Sequence, residues 1–245
     1  MLKKQYKAII FDVGDTLVEH YPSQRQIYRE RIASLGFTVD EKTEAAIAAA
    51  VEQATYKQIT LEHNGAPRMS EQDFNEMLDE AALLCVTADK DRSMLFEKLR
   101  YIPLSKQELR VMPDALETLT KLKDLGFRMA IVSNHRAWLP EYLNQIGLAD
   151  FFESIVVSDL VGVEKPDAQI MRIALNELGL NGESCLYVGD HPFDVLCAKS
   201  VGVDCAWLAP ADSVLPESIP FQEDVRLSNL LDLLCFVGGK GSLYL

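Results

Sequence analysis

Apolar and polar positions follow two rhythms along the chain. From Met112 onward, short apolar runs alternate with amphipathic stretches. Residues 128–132, 154–157, 185–188 and 204–208 read as strands. Residues 113–125, 139–146, 167–178 and 193–200 read as helices, stopped by Gly126, Gly147, Gly179 and Gly202, and 228–237 reads as a closing helix. Alternation of this kind predicts a parallel sheet with right-handed crossovers and helices on both faces. Lys7 to Phe11 adds one more strand of the buried, continuously apolar type. Between these parts the period is helical. Gln24 to Ser34 is a predicted helix closed by Gly36, and Glu41 to Glu62 is a second with Ala45, Ile47, Ala48, Val51 and Ala54 on one stripe. After a turn at residues 63–67, Ser70 is the expected N-cap of a helix with Asp73 in its N3 position. Helix then continues to about Leu99, with a break near Val86 and Thr87. No strand signal interrupts this block, so it reads as an inserted all-helical domain. The expected division is a core of residues 1–18 and 106–245 and an insertion of residues 19–105, with hinges at Val18–Pro22 and Ser105–Met112.

Composition narrows the partners. The 245 residues are 48% hydrophobic and 25% charged, enough for a sizeable core, and the net charge is −13. That charge argues against a nucleic-acid partner, which wants a basic face. An anionic small substrate stays open, because a site needs only local positive charge. The apolar run before Asp12 is only four residues long, too short for a signal peptide, and nothing approaches a membrane span. The five cysteines show no metal spacing, so reduced thiols in a cytoplasmic protein are expected. Gly238 to Ser242 lacks the spacing of a phosphate-binding loop and reads as a flexible end. Oligomeric state is not legible.

The chemistry collects at strand ends. The first strand ends in Asp12, the strand at 128–132 in Ser133 and Asn134, and the strand at 185–188 in Gly189 and Asp190, with Asp194 one helical turn later. The loop after residues 154–157 carries Glu164-Lys165-Pro166. A single aspartate after a strand is usually a helix cap. Four polar strand ends in order are not explained by capping, because a parallel sheet places them all on one edge, where ligands bind. Asp12 and Asp190 form an oxygen-rich pocket suited to Mg²⁺. With that charge screened, Asp12 is the candidate nucleophile for attack on phosphorus. Ser133, nearby amides and Lys165 would hold the non-bridging oxygens. Asp194 would accept from Lys165 or from metal-bound water, or cap the helix beginning near Pro192.

Residues 11–17 (Phe-Asp-Val-Gly-Asp-Thr-Leu), 131–134 (Ile-Val-Ser-Asn), 162–166 (Gly-Val-Glu-Lys-Pro) and 188–194 (Val-Gly-Asp-His-Pro-Phe-Asp) resemble the four ordered motifs of the haloacid dehalogenase (HAD) superfamily. The resemblance spans about residues 7 to 210. It implies an α/β fold, with a three-layer Rossmann-like core around a central parallel sheet and the helical insertion as a cap of the first type. It further implies Asp12 as nucleophile, Ser133 and Lys165 as phosphate binders, and Asp12, Asp190 and the carbonyl of Gly14 as Mg²⁺ ligands. Asp194 would support the metal's waters, and Asn134 and Thr16 would line the substrate site. One departure stands out. Family phosphatases usually carry a second aspartate two residues after the nucleophile, and this chain has Gly14 there, with Asp15 one place further on. Asp15 reads either as a turn residue or as a substitute acid. The leading expectation is a Mg²⁺-dependent phosphatase of a small phosphorylated metabolite. The alternatives are a metal-independent 2-haloacid dehalogenase and a non-catalytic phosphate-binding or interaction domain. Arg25, Arg29, Tyr56, Arg68 and Arg136 are candidates for specificity, each with a surface role as the plainer reading. His135 and His191 could touch the leaving group.

Overall fold

The structure, a computed structural model, describes residues 5–63, 65–67, 69–87, 89–104, 108–211 and 213–238. Arg68, residues 105–107 at the start of the expected hinge at Ser105–Met112, and the tail beyond Gly238 lie outside the described residues. The elements run β1 (Ala8–Phe11), β2 (Val18–Tyr21), α1 (Gln24–Ser34), α2 (Glu41–His63), α3 (Glu71–Leu84), α4 (Asp89–Arg100) and β3 (Glu108–Val111). Then come α5 (Ala115–Asp124), β4 (Arg128–Ser133), α6 (Leu139–Gln145), β5 (Ser154–Val157), α7 (Ser158–Val161), α8 (Ala168–Leu178) and β6 (Cys185–Gly189). The chain closes with α9 (Pro192–Lys199), β7 (Asp204–Leu208), β8 (Val225–Leu227) and α10 (Asp232–Val237). It packs as two units, Met1–Glu19 with Arg110–Leu245, and His20–Leu109.

The first unit is built on a six-stranded sheet in the order β5-β4-β1-β6-β7-β8, with every pairing parallel. The central strands are buried on both faces, which is why β1 and β6 read as unbroken apolar runs. Register places Phe11 beside Ile131 on one flank and Val188 on the other. From β1 the chain builds outward to β4 and β5, then returns to β6, β7 and β8 on the opposite side. That reversal of strand order opens a crevice at the carboxyl ends of the strands. Helix α8 shows how the flanking layer forms. The Asp167 side chain accepts from the N–H of Gln169 at its start, Ile170, Met171, Ala174 and Leu178 bury one stripe, and left-handed Gly179 stops it.

The second unit contains α1 to α4 around a core that includes Tyr28, Ile32, Ile47, Val51, Leu78, Leu83 and Leu99. A capping box at Ser23 starts α1, and Ser70 accepts from the Asp73 N–H to start α3. Inside the unit Arg31 forks onto both oxygens of buried Asp79 and gives a further bond to the carbonyl of Leu99.

Three details differ from the sequence reading. The stretches expected as hinges contain strands: β2 and β3 pair in a separate two-stranded sheet at the two places where the chain passes between units. Residues 225–227 add β8 to the sheet edge. The last helix therefore begins at Asp232 rather than Ser228, and Asp232 accepts from the Ser228 N–H. Among the described residues no helix is long and apolar enough to cross a membrane.

Candidate active site

Asp12 continues the pairing one step past β1, its N–H donating to Val188 O at 2.8 Å. Its side chain is turned inward, leaving the residue only 7% exposed. Oδ1 accepts from Lys165 Nζ at 2.8 Å. Lys165 is 4% exposed, and its ammonium also donates to Asp194 Oδ1 at 2.7 Å and Tyr187 Oη at 3.0 Å. Three N–H groups thus meet three acceptors, the full complement of a lysine. The loop that carries Lys165 is fastened to the end of β4. Asn134 Nδ2 donates to Lys165 O at 2.8 Å, and the Lys165 N–H returns a bond to Asn134 Oδ1 at 2.7 Å. Asn134, expected at the substrate, engages the lysine's backbone in this way. Thr16, expected there too, is buried and donates to Asp190 Oδ1 at 3.2 Å. Ser133 is buried at the end of β4.

Asp194 combines both roles the sequence left open. Oδ1 faces Lys165 and Tyr187, while Oδ2 accepts from the His191 N–H at 2.9 Å and closes a capping box on α9. His191 is the N-cap, its Nδ1 accepting from the Phe193 N–H. The carboxylate lies so close to Gly189 that a Cβ there would sit 2.2 Å from Asp194 Oδ2, so the position requires glycine. One oxygen from each of Asp12, Asp190 and Asp194 falls within 4.8 Å of the others. These groups, with Lys165 and Ser133, all belong to the first unit.

Charge in this cluster is unbalanced. Burial raises the Asp12 carboxyl above its usual range, and the Lys165 ammonium pulls against that rise. Asp190 is pushed well up, first by burial and then by Asp12, Asp194 and Asp15. Burial disfavours charge on Lys165, but Asp12 and Asp194 outweigh it and raise its pKa. One ammonium cannot neutralise three acids. An all-oxygen donor set with surplus negative charge fits a hard divalent cation.

The remaining candidates are dispersed. Among the described residues Asp15 is the one non-glycine with left-handed backbone, φ 51°, and it is exposed. Among the described glycines in that region of φ, Gly14 is not included; it forms a lone bridge to Val18. His135 Nδ1 accepts from the Arg136 N–H, and its ring forms a T-shaped pair with Trp138, the centroids 4.6 Å apart. Arg136 is exposed, 3.9 Å from Asp159. In the second unit Arg25 and Arg29 both lie against Glu44, and Tyr56 is on α2.

Two residues of the site had no sequence signal. Tyr187 and Trp207 sit in strands and read as ordinary core. Tyr187 instead reaches Lys165, Asp194 and Val132 O with its hydroxyl, and Trp207 Nε1 donates to Asp190 O at 2.6 Å.

Comparison with known proteins gives this arrangement a context. The haloacid dehalogenase-like hydrolase family matches residues 6–202, most of the chain. The chain belongs to that family. This hydrolase is similar to the phosphoglycolate phosphatase of Colwellia psychrerythraea, 25% identical over 222 residues, or 85% of this chain and 86% of that protein. It is also similar to the glyceraldehyde 3-phosphate phosphatase of Methanopyrus kandleri, 28% identical over 191 residues and 76% of each chain. Among solved structures, the magnesium-bound HAD-hydrolase YfnB of Bacillus subtilis superposes with a TM-score of 0.65 at 20% identity, covering 96% of this hydrolase and 99% of that chain. That likeness establishes the fold.

Proposed function

We propose that this hydrolase is a Mg²⁺-dependent phosphatase of a small phosphorylated metabolite, working through an aspartyl-phosphate on Asp12. The observation that carries the reading is the cluster itself: a buried aspartate at a strand end, bound to a buried lysine, with two further aspartates within reach. The relatives named above, which act on phosphoglycolate and glyceraldehyde 3-phosphate by name, support the substrate class. Five free cysteines support a cytoplasmic setting.

Asp12 and Asp190 would hold Mg²⁺, with the Gly14 carbonyl as a further ligand and Asp194 behind them. Bound there, the ion supplies positive charge that lets a phosphate approach the acids. Lys165 keeps Asp12 aimed and ionised, and Ser133 gives its hydroxyl to a non-bridging oxygen. An Asp12 oxygen forms the new bond to phosphorus as the bond to the leaving oxygen breaks, and that oxygen takes a proton from water. Water then attacks the phosphorus of phospho-Asp12 and gives up a proton to solvent, replacing the one the leaving oxygen took; the bond to the Asp12 oxygen breaks, and phosphate leaves with the carboxylate restored. Gly14 offers no acid for either step. Phosphate release from phosphoglycolate, glyceraldehyde 3-phosphate and an aryl phosphate, with Mg²⁺ and with chelator, tests the reading. Turnover that needs Mg²⁺ and Asp12 is expected. Halide release from a 2-haloacid without metal would overturn it in favour of a dehalogenase, and no turnover of either class would favour a binding module.

A further inference from the structure

The peptide unit joining Asp190 to His191 is gripped from both sides. Its N–H donates to Asp194 Oδ2 at 2.9 Å. Its carbonyl accepts from the indole N–H of Trp207 at 2.6 Å. The two groups of a trans peptide point in opposite directions, so two such bonds fix the tilt of its plane. That plane sets the direction in which the Asp190 side chain leaves the backbone. Thr16 then steadies the carboxylate through Oδ1. The indole is itself held. Trp207 lies in β7 opposite Gly189, the residue before Asp190, and is almost wholly buried. Arg226, its neighbour in β8, stacks on the ring at 4.1 Å and is fixed by Glu223 and by the carbonyls of Pro210 and Ser213. A phenylalanine would keep an aromatic face for Arg226; the hydrogen bond to the Asp190 carbonyl is what the indole adds.

We propose that Trp207 is a positioning residue for Mg²⁺: through the Asp190 carbonyl it preorganises the Asp190 carboxylate, and its indole reports occupancy of the site. The inference rests on the reading of Asp190 as a metal ligand. Groups one step behind the ligands typically change metal affinity by about 10–100-fold when removed.

The experiment is a calorimetric Mg²⁺ titration of the full chain, wild type against Trp207→Phe. A second protein carries benzothienylalanine at position 207, which keeps the fused ring and lacks the N–H, so it serves if phenylalanine disturbs packing. Both replacements are expected to weaken Mg²⁺ by about 10–100-fold, and turnover lost at low Mg²⁺ is expected to recover as Mg²⁺ is raised. The chain has two tryptophans, Trp138 and Trp207. In Trp138→Phe, which leaves Trp207 as the sole tryptophan, Mg²⁺ should change the indole emission saturably with the calorimetric affinity. Wild-type affinity in both replacements, with or without a loss of thermal stability, overturns the proposal while leaving Asp190 as a ligand. No Mg²⁺ binding by wild type overturns the metal reading itself, and the proposal with it.

Discussion

Replacing Lys165 with methionine separates its role from that of Asp190. The cluster holds three carboxylates and one ammonium, a formal charge of −2 when all are ionised. Lys165→Met keeps an unbranched side chain only one atom shorter and takes the cluster to −3. Two unit charges about 5 Å apart at an effective dielectric of ~20 interact by about 3 kcal/mol, and a divalent ion doubles that. Proton uptake by the crowded acids returns part of the gain. A net improvement of about 1.4 kcal/mol, one tenfold step in Mg²⁺ affinity, is the conservative expectation. Turnover should nonetheless fall by about 10²–10³, because the lysine no longer aims Asp12 and keeps it ionised. Asp190→Asn should do the reverse, weakening Mg²⁺ and regaining turnover as Mg²⁺ is raised. The assay is a Mg²⁺ titration followed by calorimetry and by phosphate release, at one pH, for wild type and both variants. Weaker Mg²⁺ binding by Lys165→Met, or rescue of both variants by excess Mg²⁺, would refute the assignment of roles.

Two further outcomes are expected. Asp79→Asn should cost about 3–5 kcal/mol in a urea melt, because it leaves the buried Arg31 guanidinium without its counter-charge; Arg31→Met with Asp79→Leu should recover more than half of that, and a silent Asp79→Asn would show the pair to be dispensable. Gly14→Asp should speed alkyl phosphate hydrolysis by up to about 10²-fold and aryl phosphate hydrolysis much less, since a general acid matters most for a poor leaving group; a loss of alkyl activity in Asp15→Asn would instead make Asp15 the acid.

Much of this was legible in the chain. Ser154–Val157 and Asp204–Leu208 are the strands the apolar pattern delimits, and Gln24–Ser34 is the helix it delimits. Asp12, Lys165, Asp190 and Asp194 could be brought together because parallel strands end on one edge. What escaped depends on contacts without local signal. β2 and β3 are half-polar, four residues each, and pair across the whole helical insertion, so no turn announces them. β8 is three residues at an edge, and its extended backbone displaced the start of the last helix. Tyr187 and Trp207 look like packing because nothing in a strand's alternation distinguishes a ring that fills space from one whose polar tip meets a charged partner. The clamp between Asn134 and Lys165 has the same origin: it is a bond between side chain and backbone across 31 positions.

The central claim is that Asp12 carries the phosphoryl group. Purified protein, Mg²⁺ and an aryl phosphate should be mixed, quenched in acid within one turnover, and the peptide containing Asp12 weighed by mass spectrometry. With a good leaving group the second step is slow, so the covalent form accumulates. The account predicts a peptide heavier by one phosphoryl group, with the modification on Asp12 in wild type, and neither adduct nor turnover in Asp12→Asn. Steady phosphate release from Asp12→Asn, with no adduct at any time in wild type, would contradict it.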